Sequence, residues 1–286
     1  MYQVLKLLRS APTSAKIGMV AILINVVCAV FAPVLAPYSE TQVVGDGWES
    51  VMWSTDAVKH DPPVILGTDH IGRDLFSRLT YGARNTIALA LVTTALAFSV
   101  GAASGFLAAI MKGWVDMLLS RIVDILMAFP TLIFALVVLS VMGTSTTVLI
   151  FVIATLDSVR VYRISRAVAM DIEVMDYVEA AKLRGEGLWW IIKDEILPNA
   201  LLPLVSEFGL RFCFVFLFIS ALSFLGLGLQ PPTADWGSMV RENAAAISFG
   251  ILTPLIPAAA IGFLTVGVNL VVDWFLRKAS GIKDVK

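Results

Sequence analysis

Apolar residues along this chain are grouped in six long runs, and the segments between the runs are more polar. A transmembrane helix needs about 20 predominantly apolar residues. The runs therefore predict six membrane spans, at residues 17–36, 86–111, 118–142, 146–161, 200–225 and 251–276. This pattern predicts an all-α integral membrane protein whose core transmembrane domain covers residues 86–276.

The first run has one alternative interpretation, a cleavable signal peptide, because Lys6, Arg9 and Lys16 precede it. However, its apolar stretch is long, Pro37 follows Ala36 where cleavage would be expected, and five more runs come after it. We therefore expect residues 17–36 to stay in the membrane as an anchor.

Composition indicates the class of protein, and the placement of the basic residues indicates the orientation of the chain in the membrane. The chain is 58% hydrophobic and 15% charged, which is too little charge for the surface of a soluble domain. With the N-terminus inside, most of the 21 Lys and Arg residues fall in inner segments, as expected for the cytoplasmic side. The outer loops hold Lys59, Arg73, Arg78, Arg84 and Arg241. We expect segment 1–16 and tail 277–286 in the cytoplasm.

Two long segments are predicted on the outer side of the membrane, residues 37–85 and 226–250. The first is acidic and contains aromatic residues. The second contains Pro231, Pro232 and several glycines, a composition that excludes one continuous helix.

A polar, helix-forming stretch at residues 176–199 lies between the fourth and fifth runs. Asp176 followed three residues later by Glu179 is a capping-box pattern that predicts a helix start at Tyr177, and Gly185 is placed to end this helix in a left-handed conformation. A helix of about eight residues is marginal in water, so it needs a surface to pack against. That surface could be the cytoplasmic face of this chain or a partner protein.

The same stretch resembles the EAA loop of permease subunits of bacterial binding-protein-dependent ABC importers. The matching residues are Glu179, Ala180, Ala181, Gly185, Leu197 and Pro198. The resemblance implies that the short helix is a coupling helix, seated in a groove of a cytoplasmic ATPase subunit, within a loop at 162–198. Glu195 departs from the family pattern, which has an aliphatic residue there. Between the two motif halves, residues 188–196 predict an amphipathic helix, and Pro198 is expected to open the fifth span.

Three further stretches, 65–87, 121–130 and 221–239, resemble the second membrane subunit of the dipeptide and oligopeptide permease group. This resemblance covers about residues 5–277 and implies a type I ABC importer permease fold in the bacterial inner membrane. It also implies a second homologous permease, two cytoplasmic ATPases and a periplasmic solute-binding protein as partners. We expect no nucleic-acid partner.

No G-x-x-x-x-G-K-[ST] stretch occurs in the sequence, so we expect ATP and Mg²⁺ to be bound by the ATPase partners. No nucleophile and base pattern or metal-ligand spacing is present either. We expect a pore subunit that is not an enzyme and holds no cofactor or metal.

Charged residues inside membrane spans are functional candidates because their burial is costly. Glu207 and Arg211 lie four residues apart in the fifth run and can pair on one helix face. Such a pair could line the translocation path, or the two charges could only neutralise each other within the membrane. Gly101 and Gly105 in the second run form a small-xxx-small pattern typical of helix contacts.

Several residues of the outer segments are candidates for contact with a solute-binding protein. Asp69, Arg73 and Asp74 mix opposite charges with glycines, and the alternative for them is a turn held by local Asp to Arg bonds. Gln230 and Trp236 are the candidates in the second outer segment.

These features predict a permease subunit that forms half of a translocation pathway for peptides or a related small solute. The alternatives are an ion-coupled secondary transporter that uses Glu207 and Arg211, and a purely structural membrane scaffold. The sequence leaves the solute open, because relatives of the group carry nickel, opines or glycosides as well as peptides.

Overall fold

The computed structural model of the chain describes residues 11–54 and 58–279, and every regular element in these ranges is a helix. The first half contains α1 (Thr13–Val30), α2 (Ala32–Leu35), α3 (Leu75–Met111), α4 (Gly113–Met127), α5 (Thr131–Met142) and α6 (Thr146–Glu173). The second half contains α7 (Asp176–Leu183), α8 (Leu188–Trp190), a π-helical turn (Ile191–Ile196), α9 (Leu197–Phe224), α10 (Trp236–Glu242), a 3₁₀ helix (Ala244–Phe249) and α11 (Leu255–Ala279). Residues 1–10 of the predicted segment 1–16 and residues 280–286 of the predicted tail 277–286 lie outside the described residues.

The all-α class is confirmed, whereas the count of six continuous spans is not. Four helical segments of the described ranges are long and apolar enough to cross a membrane. They are Thr13–Val30, Leu75–Met111, Leu188–Phe224 and Leu255–Lys278.

The predicted third span, 118–142, is wrong as a single helix, because α4 and α5 meet at an angle of 86°. Pro130 lies at the start of α5 with an extended backbone. A proline donates no backbone hydrogen bond and disfavours helical geometry at the preceding residue, so the helix breaks there. The two helices together still have the composition of one membrane span.

The predicted fourth span, 146–161, is part of the longer helix α6, which continues to Glu173. Charged residues interrupt its apolar sequence from Asp157 onward, and this ended the apolar run early. The helix persists because one of its faces stays buried, through Tyr162, Ser165 and Ala169, while the other face becomes polar.

Helices α3 and α6 pack side by side through the two glycines of the small-xxx-small pattern. A Cβ on Gly101 would lie 2.5 Å from the Ser158 carbonyl oxygen, and one on Gly105 would lie 2.8 Å from the Tyr162 carbonyl oxygen. The backbones therefore approach so closely that only glycine fits, which confirms the predicted helix contact.

We expect the substitution Gly101→Ala to lower the stability of the chain by about 1–3 kcal/mol, because the added methyl group forces α3 away from α6. The matched control is Gly262→Ala in α11, where a Cβ would meet nothing within 4 Å. Thermal unfolding of the detergent-solubilised protein checks this, and equal midpoints for the two variants would contradict the close contact.

Candidate functional site

The short helix predicted in the polar stretch is present as α7, Asp176–Leu183, and it has the predicted length of 8 residues. The capping prediction is wrong in detail. The extended residue before the helix is Met175, no side chain caps the helix start, and Asp176 is its first residue. The carboxylates of Asp176 and Glu179 instead lie in the first turn, where negative charge favours the helix dipole.

The end of α7 is formed as predicted by Gly185, whose φ is +82°. The Glu186 amide donates to the Ala181 carbonyl at 3.2 Å, and the Gly185 amide donates to the Lys182 carbonyl at 3.0 Å. These two bonds are those of a Schellman motif, in which the left-handed residue reverses the chain direction. The turn fixes the angle between α7 and the next helical segment.

The two faces of α7 have different surroundings. Val178 and Ala181 are fully buried, whereas Glu179 and Ala180 are exposed, and the side chain of Leu183 is 83% exposed. We call Glu179, Ala180 and Leu183 the docking face. Leu183 was not among the predicted residues, although its spacing from Glu179 and Ala180 places it on the same helix face.

The buried face of α7 belongs to the α7 core, a cluster of apolar side chains from five parts of the chain. Its members come from the ends of α3 and α6, from α7, from the π-helical turn and from the start of α9. They are Phe106, Ala109, Ala169, Ile172, Val178, Ile191, Ile196, Ala200 and Leu204. The helix is therefore packed on its own chain through one face and open on the other.

An ion-pair network adds a polar connection to this core. Glu173, the last residue of α6, is buried and accepts hydrogen bonds from Lys182 of α7 and from Lys112, at 2.9 Å, at the end of α3. Burial acts to raise the pKa of Glu173, but the two lysines outweigh it and hold this pKa below its ordinary value. One carboxylate thus links α7 to two long helices.

The second half of the motif is helical as predicted, with Ile191 and Ile196 buried, and Pro198 lies in the first turn of α9. Helix α9 continues from the π-helical turn without a break. A proline inside a helical run clashes with the carbonyl four residues before it, and a widened turn relieves this clash. The Asn199 side chain donates to the Glu195 carbonyl at 2.6 Å. Leu197 and Pro198 are both exposed.

The charged residues of the first outer segment are buried inside the chain. Asp69, Arg73 and Asp74 have exposures of 5% or less. The Arg73 side chain donates to Asp69 at 2.6 Å, and the Asp74 carboxylate accepts from the Ser77 amide at 2.8 Å to cap α3. This geometry supports the local-turn interpretation and does not fit direct contact with a partner. Because Asp74 caps α3, the end of predicted segment 37–85 is helical.

Trp236 also serves internal packing, since it is fully buried and donates from its indole nitrogen to the Leu79 carbonyl at 2.9 Å. Its ring lies against Gly82, and it pins α10 to the start of α3. Gln230 is exposed, with its amide donating to the carbonyls of Gly226 and Gly228. As predicted, the segment 226–250 contains no single continuous helix.

Potential metal ligands come together at one place in the described ranges, where side-chain atoms of Asp69, His70 and Glu242 lie within 4.8 Å of one another. Two arginines already occupy the carboxylates, since Arg73 and Arg78 both contact Glu242, at 3.0 and 3.1 Å. Their positive charges oppose the entry of a cation, so this group is better described as a buried ion-pair network.

The predicted pair of the fifth run forms, with Arg211 Nε 2.6 Å from Glu207 Oε1. Asp157 of α6 joins it, because its Oδ1 atom lies 3.7 Å from guanidinium nitrogens of both Arg211 and Arg160. Glu207 and Arg211 are mostly covered, with 14% and 13% side-chain exposure. This favours mutual neutralisation as their role.

Asp157 and Arg160 line a cavity of about 200 Å³ between α5, α6 and α9. Its other lining residues are Thr131, Ile153, Leu156, Phe214, Val215 and Phe218. Both charged residues fall near the end of the predicted span 146–161, whereas they lie in the middle of α6.

Comparisons with known proteins agree with this architecture. Residues 101–279 match the model of the family described as binding-protein-dependent transport system inner membrane component. A crystal structure of an amino acid ABC transporter with histidines has a similar fold, with a TM-score of 0.50 and 21% identity over 70% of this chain and 94% of that one.

Named relatives match over nearly the whole chain. The dipeptide transport system permease protein DppC of Alkalihalophilus pseudofirmus is 32% identical over 91% of this chain and 83% of its own. A putative peptide transport system permease protein of Brucella suis is 34% identical over 95% and 86%. The glutathione transport system permease protein GsiD of Pectobacterium atrosepticum is 29% identical over 88% and 81%. The chain therefore belongs to the family of inner membrane components of binding-protein-dependent transport systems, the permease subunits of ABC importers.

Proposed function

We propose that this chain forms half of the translocation pathway of an ATP-driven, binding-protein-dependent peptide importer. The peptide class is supported by the relatives, which are named for dipeptide, peptide and glutathione transport. A second homologous permease completes the pathway, and a periplasmic solute-binding protein delivers the solute. In this arrangement both termini are cytoplasmic, and the exposed Gln230 is the remaining candidate for contact with the binding protein.

Coupling to ATP hydrolysis takes place at α7. The observation that carries this step is the asymmetry of the helix, which is buried on one face in the α7 core and open on the docking face. A short helix with these two faces can transmit movement of an ATPase subunit to the ends of α3, α6 and α9. ATP and Mg²⁺ bound on the ATPases supply the free energy that shifts the permease between its inward-facing and outward-facing states.

The docking face is expected to contribute to the association of this chain with the ATPase subunits. We expect Leu183→Ala to weaken association with the ATPase subunits about fivefold, because the side chain would lose part of its apolar burial in the complex. Leu183 is 83% exposed in this chain, so its truncation leaves the α7 core intact. Co-purification and ATPase titration on the membrane-embedded permease pair measure the effect.

The matched control is Phe249→Ala, which truncates a 70% exposed apolar side chain in the outer segment. Its association with the ATPases should equal that of the wild type. If Leu183→Ala binds the ATPases as tightly as this control, α7 is not the docking element. Solute uptake by the permease without any ATPase would instead establish the secondary transporter.

A further inference from the structure

We propose that Arg160 binds the terminal carboxylate of the peptide during its passage, in the cavity between α5, α6 and α9. This inference rests on the peptide transport function proposed above and assigns one binding group within the pathway. Arg160 lies in the middle of the 28-residue helix α6, on the order of 20 Å from its start at a rise of about 1.5 Å per residue. Because the predicted fourth span begins at residue 146, this distance places Arg160 inside a hydrocarbon core about 30 Å thick.

The guanidinium of Arg160 is accessible and incompletely paired. Its side chain is 42% exposed, against 13% for Arg211, which is held by Glu207. In the part of the chain that the structure describes, it makes one hydrogen bond, to the Thr131 hydroxyl at 3.2 Å. Its distance of 3.7 Å from Asp157 is longer than the roughly 2.7–2.9 Å of a charge-assisted hydrogen bond. An incoming carboxylate can therefore make a shorter, bidentate pair.

Asp157 has the complementary role of balancing the charge of Arg160 while no peptide is bound. Its carboxylate is buried, and its Oδ2 atom has no hydrogen-bond partner among the described residues. Through Oδ1 it holds Arg160 and Arg211 at equal distances of 3.7 Å, so its charge is shared. When a peptide carboxylate pairs with Arg160, Asp157 can turn fully to Arg211, and no charge is left isolated.

The remaining walls of the cavity suit the rest of a short peptide. Three polar residues, Thr131, Asp157 and Arg160, face an apolar wall that includes Phe214 and Phe218. A few polar groups set in an apolar pocket are the usual composition of a small-molecule site. The volume of about 200 Å³ is small for a whole peptide, which agrees with a subsite that holds one end of the solute in half of a shared pathway.

The test uses the complete transporter with its second permease, ATPases and binding protein in proteoliposomes. The probes are labelled dialanine and trialanine and their C-terminal amides. We expect Arg160→Gln to reduce uptake of the free acids roughly tenfold, the size expected for one lost charge-assisted hydrogen bond. ATP hydrolysis stimulated by the binding protein should persist, and uptake of the amides should change little. Arg163→Gln, an exposed arginine on the same helix, should behave as the wild type.

Each other result overturns the inference in a recognisable way. Unchanged free-acid uptake by Arg160→Gln would exclude carboxylate binding. Equal loss of acids and amides together with loss of assembly would show that Arg160 contacts the second permease. If the wild type accumulates none of the four probes, the proposed peptide function fails, and the inference fails with it. The solute-binding protein can itself prefer free acids over amides. Its affinities for both are therefore measured separately, because this preference does not depend on Arg160.

Discussion

The substitution Gly185→Val is expected to reduce uptake about thirtyfold while the protein still inserts in the membrane. Gly185 has a φ of +82° and ends α7. A left-handed conformation costs an ordinary residue roughly 1–2 kcal/mol, and a β-branched residue lies at the upper end of this range. A cost of about 2 kcal/mol changes a conformational equilibrium by roughly thirtyfold. The turn would open, and the docking face would no longer be held at its angle to the following helix.

The control for this prediction is Gly187→Val, two residues further along the chain. Gly187 has an extended backbone with φ −75° and ψ 161°, which valine adopts readily. A Cβ would meet nothing within 4 Å at either glycine, so the two substitutions differ in backbone strain and not in steric space. Uptake assays in cells and co-purification of the ATPases give the comparison. Similar losses of uptake in Gly185→Val and Gly187→Val would show that uptake does not depend on the left-handed turn at Gly185.

The parts of this protein that the sequence predicts well are those set by local chemistry. The end of α7 follows from the preference of glycine for a left-handed backbone, and the pair of Glu207 and Arg211 follows from helix spacing. The Asp69 to Arg73 bond follows in the same way from short sequence separation. Each feature involves residues within a few positions of one another.

Helix boundaries were predicted less well because an apolar run measures contact with lipid and does not measure helix length. Helix α3 begins at Leu75, where Asp74 caps it, and this start is outside the apolar run. Helix α6 continues to Glu173 because its buried face continues. Hydropathy does not register a helix that leaves the membrane and stays packed on its own protein.

Charged side chains whose partners are distant in the sequence were not predicted as pairs. Arg160 reaches Thr131, which is 29 residues away, and Glu173 reaches Lys112, which is more distant still. No local pattern signals such pairs. The burial of Asp69, Arg73 and Asp74 was hidden for the same reason, since charged residues in a loop ordinarily indicate an exposed surface.

Glu173→Lys is expected to have a larger effect than Gly185→Val. We expect a loss of uptake of about a hundredfold, with ATP hydrolysis retained. The new charge would face Lys112 and Lys182 in a buried position. A broken buried ion pair costs about 3–5 kcal/mol, and the partial exposure of the two lysines places this case near the lower limit. Helix α7 would still bind the ATPases through its docking face, but it would be uncoupled from α3 and α6. The measurement is solute transported per ATP hydrolysed in proteoliposomes.

A charge exchange separates this linking role from a general loss of folding. In the double variant Glu173→Lys with Lys182→Glu, the pair between α6 and α7 is restored, and uptake per ATP should recover in part. Recovery is incomplete because Lys112 then faces a like charge, although its side chain is 61% exposed and can turn away. Asp171→Lys, at an exposed position of the same helix, should leave coupling unchanged.

The pH dependence of this link has a defined sign. The pKa of Glu173 is lowered from its ordinary value of 4.5, so the carboxylate stabilises the folded state fully above that value. This contribution is lost only as the pH falls through the lowered pKa, and coupling through Glu173 should not vary around neutral pH. Glu173→Gln removes the charge at every pH and should lower transport per ATP at neutral pH. If Glu173→Lys and its charge exchange give the same low coupling ratio, the carboxylate does not link α7 to the membrane helices.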